Sequence, residues 1–142
     1  MNYINGYKIK FILFDKKRNQ LVDYMNCSIA IADGTVQSFD KKGNLEGTAA
    51  NTHLIPLQYA NRNDMYGKEI YKDFIVERKA GVIGEEDITG VVEEMECAWW
   101  IVNHKEQRAV HLFSETSMDT IKGNIHQNSD LYEVAGYYEE KI

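Results

Sequence analysis

The side chains that could do chemistry in this chain are two histidines near one turn, His104 and His111, two cysteines, Cys27 and Cys97, and two acidic runs, Glu85, Glu86, Asp87 and Glu93, Glu94, Glu96. The histidines flank the turn Lys105 to Arg108. A loop of about two or four residues would pair Val102 with His111 and His104 with Ala109, leaving both imidazoles on one sheet face at a diagonal separation of about 7 to 8 Å. That arrangement offers two nitrogens to a shared metal. Zinc asks for a third and usually a fourth ligand at close range, and the nearby carboxylates, Glu106 and Glu115, fall at a loop tip and a strand end. Ordinary cross-strand histidines are expected, with no metal and no cofactor.

The acidic runs lack the alternating Asp/Asn ligands, central glycine and terminal glutamate of a calcium loop, and they read as a solvated turn and strand edge. Cys97 could form a thiolate pair with His104 or His111 only if strand order brought them together, and its neighbours Ala98 and Trp99 suggest a buried thiol. Cys27 and Cys97 lie far apart among apolar residues, as small buried hydrophobes do in a reducing compartment. The chain contains no G-x-S-x-G, no P-loop, no G-x-G-x-x-G and no C-x-x-C. A non-enzymatic protein is expected.

The elements that carry these residues are short strands. Cys97 to Asn103 and Arg108 to Phe113 form a hairpin that sets Trp99, Ile101, Val110 and Leu112 on one face and Trp100, Val102, Ala109 and Phe113 on the other, with both histidines. A hairpin apolar on both faces must be covered twice, by its own barrel core and by either the N-terminal part of the chain or another subunit. Trp100, Val102, His104, His111 and Phe113 are therefore the candidate interface, since large aromatics dominate association hot spots.

Elsewhere, Tyr7 to Phe14 alternates lysines with apolar residues, breaks at DKKRNQ and resumes over Leu21 to Cys27. Ser28 to Ala32 and Thr35 to Phe39 flank Asp33-Gly34, a tight-hairpin dipeptide, so the first forty or so residues read as a β meander. Asp40 to Asn51 reads as a loop, Pro56 favours an extended edge segment over a central strand, and a strand is expected from about Glu69 to Arg78. Ile88 to Glu93 and Thr120 to His126 continue the series, at the spacing of a small barrel or sandwich. A short helix is expected from Asp130. The reading is a mainly β protein, with a meander and loop over 1–55 and a barrel with a helical tail over 56–142.

Lys8, Lys10, Lys16, Lys17 and Arg18 concentrate positive charge on the first hairpin near Tyr7 and Phe11, the mixture a nucleic-acid surface uses. Phe11 alternates with the lysines and points away from them, so a charged edge that discourages strand aggregation is the expected role. Contact with nucleic acid or nucleoprotein is the alternative. The net charge of −6 opposes non-specific attraction to phosphate backbones or anionic lipid. At 142 residues and 44% apolar content the chain can support one core or two small abutting ones. No apolar run is long enough to span a bilayer, and MNYINGYKIKFILFD lacks the pattern of a signal peptide, so a cytoplasmic protein without membrane contact is expected.

The stretch LQYANRNDMYGKEIYKDFIV, then GVV over Gly90 to Val92, then IKGNIHQNSDL resembles the signature of the YopX family of phage and prophage proteins, which runs Q-Y-T-G-L-x-D-x-x-G-K-E-I-Y-E-G-D-I-V and later I-G-N-I-Y-E-N-P-E-L. KIKFILFDKKRNQLV is similar to the family's opening. Ala60-Asn61 stands where the signature has Thr-Gly, Asp73-Phe74 where it has Gly-Asp, and Asn128-Ser129 where it has Asn-Pro. The resemblance implies an SH3-like β roll in the second half, a phage or prophage origin and self-association as a homo-oligomer. It implies no catalytic residues.

Overall fold

The first hairpin forms where alternation predicts it, but β1 (Phe11–Asp15) starts later than Tyr7 and returns through Lys16–Asn19 as the short β2 (Gln20–Val22). The turn is built on Asp15, whose buried carboxylate accepts the N–H groups of Lys17 and Arg18 at 2.9 and 3.2 Å. Such short side chains mimic a backbone turn. The computed structural model describes residues 7–23, 27–30, 35–47 and 53–131. Cys27 lies in β3 (Cys27–Ile29), which pairs with β4 (Val36–Phe39). The Asp33-Gly34 turn expected between them is outside the described residues.

The loop reading of Asp40 to Asn51 is corrected for its first part. Asp40–Asn44 is a tight turn, and β5 (Leu45–Gly47) returns on β4 with Leu45 opposite Phe39. The Asp40 carboxylate accepts the N–H groups of Asn44 and Lys42 at 2.8 and 2.9 Å, enough to close the hairpin without a long apolar strand.

Next comes β6 (Leu54–Asn63), which pairs with β1 along Leu54 to Gln58. Lys16 N–H bonds the His53 carbonyl, so by antiparallel alternation Pro56 opposite Leu13 is a non-hydrogen-bonded position. Its missing N–H faces away from β1, where β7 (Glu69–Tyr71) pairs only further on, at Tyr59 and Asn63. Pro56 thus sits in an inner strand of a sheet ordered β2-β1-β6-β7, yet at an edge-like position of it.

The strand expected over Glu69 to Arg78 is broken in two. Asp73, at φ 69°, ends β7 and starts β8 (Phe74–Lys79) in a second sheet. That sheet has the order β11-β10-β9-β8-β12, with β9 (Ile88–Met95), β10 (Ala98–Asn103), β11 (Arg108–His111) and β12 (Met118–Asn124) all antiparallel to their neighbours. Ile75 and Val91 pack with Ile125 and Leu131, while Ile70, Val76, Val92, Ile101 and Leu112 are also buried. β8 and β9 are covered on both faces, which is why they read as apolar runs. Gly90 allows close approach, since a Cβ there would lie 2.5 Å from the Val102 carbonyl oxygen.

Past β12 the described residues end in a single turn of 3-10 helix, Ser129–Leu131, and the remainder of the helix expected from Asp130 lies outside them. The protein is mainly β. The described residues of Lys10–Gln58 form one compact unit around Leu13, Val36 and Leu54, and those of Met1–Ile9 with Tyr59–Ile142 form another. Among the described residues no helix is long and apolar enough to cross a membrane.

Candidate functional site

The β10–β11 hairpin decides what its histidines can do. Asn103 pairs with Arg108, its side-chain oxygen accepts the Glu106 N–H at 3.0 Å, and Gln107 adopts φ 53°. The turn is therefore His104–Gln107, and the register places Trp100 opposite His111 and Val102 opposite Ala109, two residues from the expected pairing. This separates the imidazoles. His104 Nε2 lies 2.6 Å from Glu93 Oε2, whereas His111 stacks on Trp100 with ring centroids 3.9 Å apart. Among the described residues no three His, Cys, Asp or Glu side chains gather as a metal site.

Of the candidate interface residues, Val102 is buried and leaves the surface, and Trp100 is half-buried with its indole N–H donating to the Met95 carbonyl at 3.0 Å. His104, His111 and Phe113 are exposed, Phe113 at 70%. The expected double covering holds for Ile101, Val102 and Leu112 and fails for Ala109, His111 and Phe113. Cys97 is also corrected. It is exposed, because Met95 pairs with Ala98 and leaves Glu96 and Cys97 as a two-residue turn at φ 51° and 64°. A hairpin this tight needs left-handed residues, and here neither is glycine.

Glu85, Glu86, Asp87, Glu94 and Glu96 are exposed, with Glu86 3.6 Å from Arg108 and Asp87 3.7 Å from Lys79. The five basic candidates are exposed as well. Lys16, Lys17 and Arg18 share the Asp15 turn, where Arg18 lies 3.8 Å from the Asp15 carboxylate, but Lys8 belongs to the other unit.

Two features of the Tyr59–Ile142 unit escape the sequence reading. One is a buried clasp. Arg78 on β8 donates Nε to Asp119 Oδ1 at 2.7 Å and Nη2 to Asp119 Oδ2 at 2.9 Å, and reaches the carbonyls of His111 and Leu112 at 2.7 and 2.5 Å. One guanidinium thus ties β8, β12 and the end of β11 together, although β11 and β12 are the two outer strands of the five-stranded sheet. The signal was an arginine two and four residues after Val76 and Phe74, on an otherwise apolar face.

The other is a cleft of about 380 Å3 lined by Arg62, Trp99, His111 and Phe113 together with Ala60 and Leu112. Asn61, at the cleft's edge with φ 59°, turns β6 here, and its amide both accepts from and donates to the Lys8 backbone at 2.6 and 2.7 Å. Arg62 comes next. Its Cζ lies 5.4 Å from the Phe113 ring centroid, its Nη2 donates to the Ser114 carbonyl, and its Nε is buried without a partner. The positive charge is met by a ring face and a neutral carbonyl, not by a carboxylate.

No protein-family model and no curated protein sequence matches the chain. Solved structures do, two of them as follows. YopX from Bacillus subtilis aligns with a TM-score of 0.57 at 17% identity, covering 85% of this chain and 95% of that one. A protein from Enterococcus faecalis aligns at 0.53 and 14% identity, covering 87% and 97%. This chain has the YopX fold. Two of its departures from the YopX signature fall at left-handed positions of this backbone. Asn61 and Asp73, which replace signature glycines, both adopt the left-handed conformation, and Asn and Asp are the side chains that best tolerate it. Each adds bonds a glycine lacks, Asn61 to the Lys8 backbone and Asp73 to His126 Nε2 at 2.9 Å.

Proposed function

We propose that the chain is a non-enzymatic binding or assembly module that self-associates through the rim of the β10–β11 hairpin, formed by Trp100, His111 and Phe113. Phe113, exposed at 70% two residues past the end of β11, is the observation that carries this reading. A large ring beside a stacked Trp100–His111 pair supplies the anchor that association surfaces use. β11 is an edge strand, so a second copy can approach without displacing a ladder partner. Resemblance to the YopX signature supports a phage- or prophage-encoded accessory role in the cytoplasm of a bacterial host.

The catalytic alternatives have less support, because the two hairpin histidines are engaged separately and Cys97 lies at a turn tip. Size-exclusion chromatography with light scattering tests the proposal. The wild type should exceed monomer mass at tens of micromolar and Phe113→Ser should shift it toward monomer. A wild type that is strictly monomeric there removes the assembly role.

A further inference from the structure

We propose that the cleft formed by Arg62, Trp99 and Phe113 binds a planar aromatic anion, a flat ring system bearing a carboxylate or phosphate group. The inference goes beyond self-association and rests on the cleft's charge and shape. Two aromatic side chains, Trp99 and Phe113, line it, and its volume of about 380 Å3 is in the range of small-ligand sites. Flat apolar bodies stack on such walls irrespective of their substituents.

Charge decides the substituent. The lining residues include Arg62 and His111 and no aspartate or glutamate. Among the described residues no carboxylate pairs with Arg62, which is half-buried and held by the Ser114 carbonyl and the Phe113 ring. A half-buried cation without a counter-ion carries an unrecovered desolvation cost, and an anion delivered into the cleft recovers part of it. The buried Nε of Arg62, which has no acceptor, is a further unmet donor on the same group. An arginine fork suits carboxylate and phosphate oxygens, which accept from two of its N–H groups at once. The Asn61 amide is already engaged by the Lys8 backbone, and the His111 ring is stacked on Trp100.

The test uses the full chain, 15N-labelled, titrated with 2-naphthoate and, in parallel, with 2-naphthylmethylammonium, the same ring with opposite charge. Naphthoate should shift the Trp99 indole and perturb the Arg62 guanidinium signals, while the cation should bind at least about tenfold more weakly. Arg62→Met, which keeps the apolar stem, should lower naphthoate affinity about tenfold or more while leaving the remaining amide spectrum in place. Adenosine monophosphate in a third arm ranks a nucleotide source against an aromatic carboxylate. Equal binding of anion and cation, no binding of either anion, or undiminished binding by Arg62→Met overturns the proposal. Light scattering on the same samples reads self-association separately, so either reading can fail alone.

Discussion

Replacing Arg78 by methionine should test the clasp that joins β8 to β12 and to the end of β11. The change keeps most of the apolar stem, removes two charge-assisted bonds to Asp119, and strips the His111 and Leu112 carbonyls of their donor. Asp119 is 3% exposed and its next contact, the Ser117 hydroxyl, lies at 3.5 Å, so the carboxylate is left buried and uncompensated. Breaking a buried pair on one side costs about 3–5 kcal/mol, whereas exchanging both partners for apolar residues costs far less. The double variant Arg78→Met with Asp119→Leu should therefore regain most of the loss, remaining about 1–3 kcal/mol below wild type for the two unmet carbonyls. Urea unfolding followed by tryptophan emission is the assay, with Trp99 and Trp100 on the strand next to β11 as reporters. For a urea slope of about 2 kcal/mol per molar, the single variant should lower the midpoint by roughly 1.5–2.5 M. A single-variant loss below about 1 kcal/mol, or a double variant as unstable as the single, would refute the reasoning.

Three further outcomes follow from local geometry. Glu96→Asn with Cys97→Gly should stabilise the protein by about 1 kcal/mol in the same assay, since two left-handed non-glycine residues are relieved and glycine's extra chain entropy offsets only part of the gain; an unchanged or lower midpoint counts against it. Gly90→Ala should destabilise by about 1–3 kcal/mol, because the added methyl meets the Val102 backbone and not a yielding side chain; a neutral result would mean that β9 and β10 can move apart. Asp40 has its pKa lowered from 3.8, chiefly by the N–H of Asn44 and also by that of Lys42, so the folded state favours its ionised form. Its contribution is complete above 3.8 and is lost as pH falls through the lower folded value. The Lys42 and Asn44 amide signals should titrate with a midpoint below 3.8, and a midpoint at or above it contradicts the turn geometry.

Much of the β architecture was legible because alternation and turn chemistry are local. The hairpin over Phe11 to Val22 and the strand series from Ile88 onward follow from apolar spacing bounded by polar turns, whereas the second hairpin was foreseen as an element but its register was not: Cys27 belongs to β3, and Ile29 lies opposite Val36, two residues from the pairing a tight Asp33-Gly34 turn would give. Leu45 was lost in a polar stretch because the three-residue strand that holds it is too short to show a period. The Glu69 to Arg78 run looked continuous because left-handed Asp73 carries no sign in the sequence beyond being an aspartate. Trp100, His111 and Phe113 of the proposed surface were placed on one face by patterning, while a register error of two residues misassigned the partners of both histidines. Parity survives such an error and pairing does not.

By itself, then, the sequence determined which residues alternate, where turns are affordable, and that no nucleophile or phosphate-loop motif is present, since all of these depend on neighbours along the chain. Only tertiary structure decided that Arg78 meets Asp119 forty-one residues away and that Arg62 lies over Phe113. Such meetings depend on how far the second sheet bends and on the register of its strands. Bend and register are set by many contacts acting together, and no one segment records them.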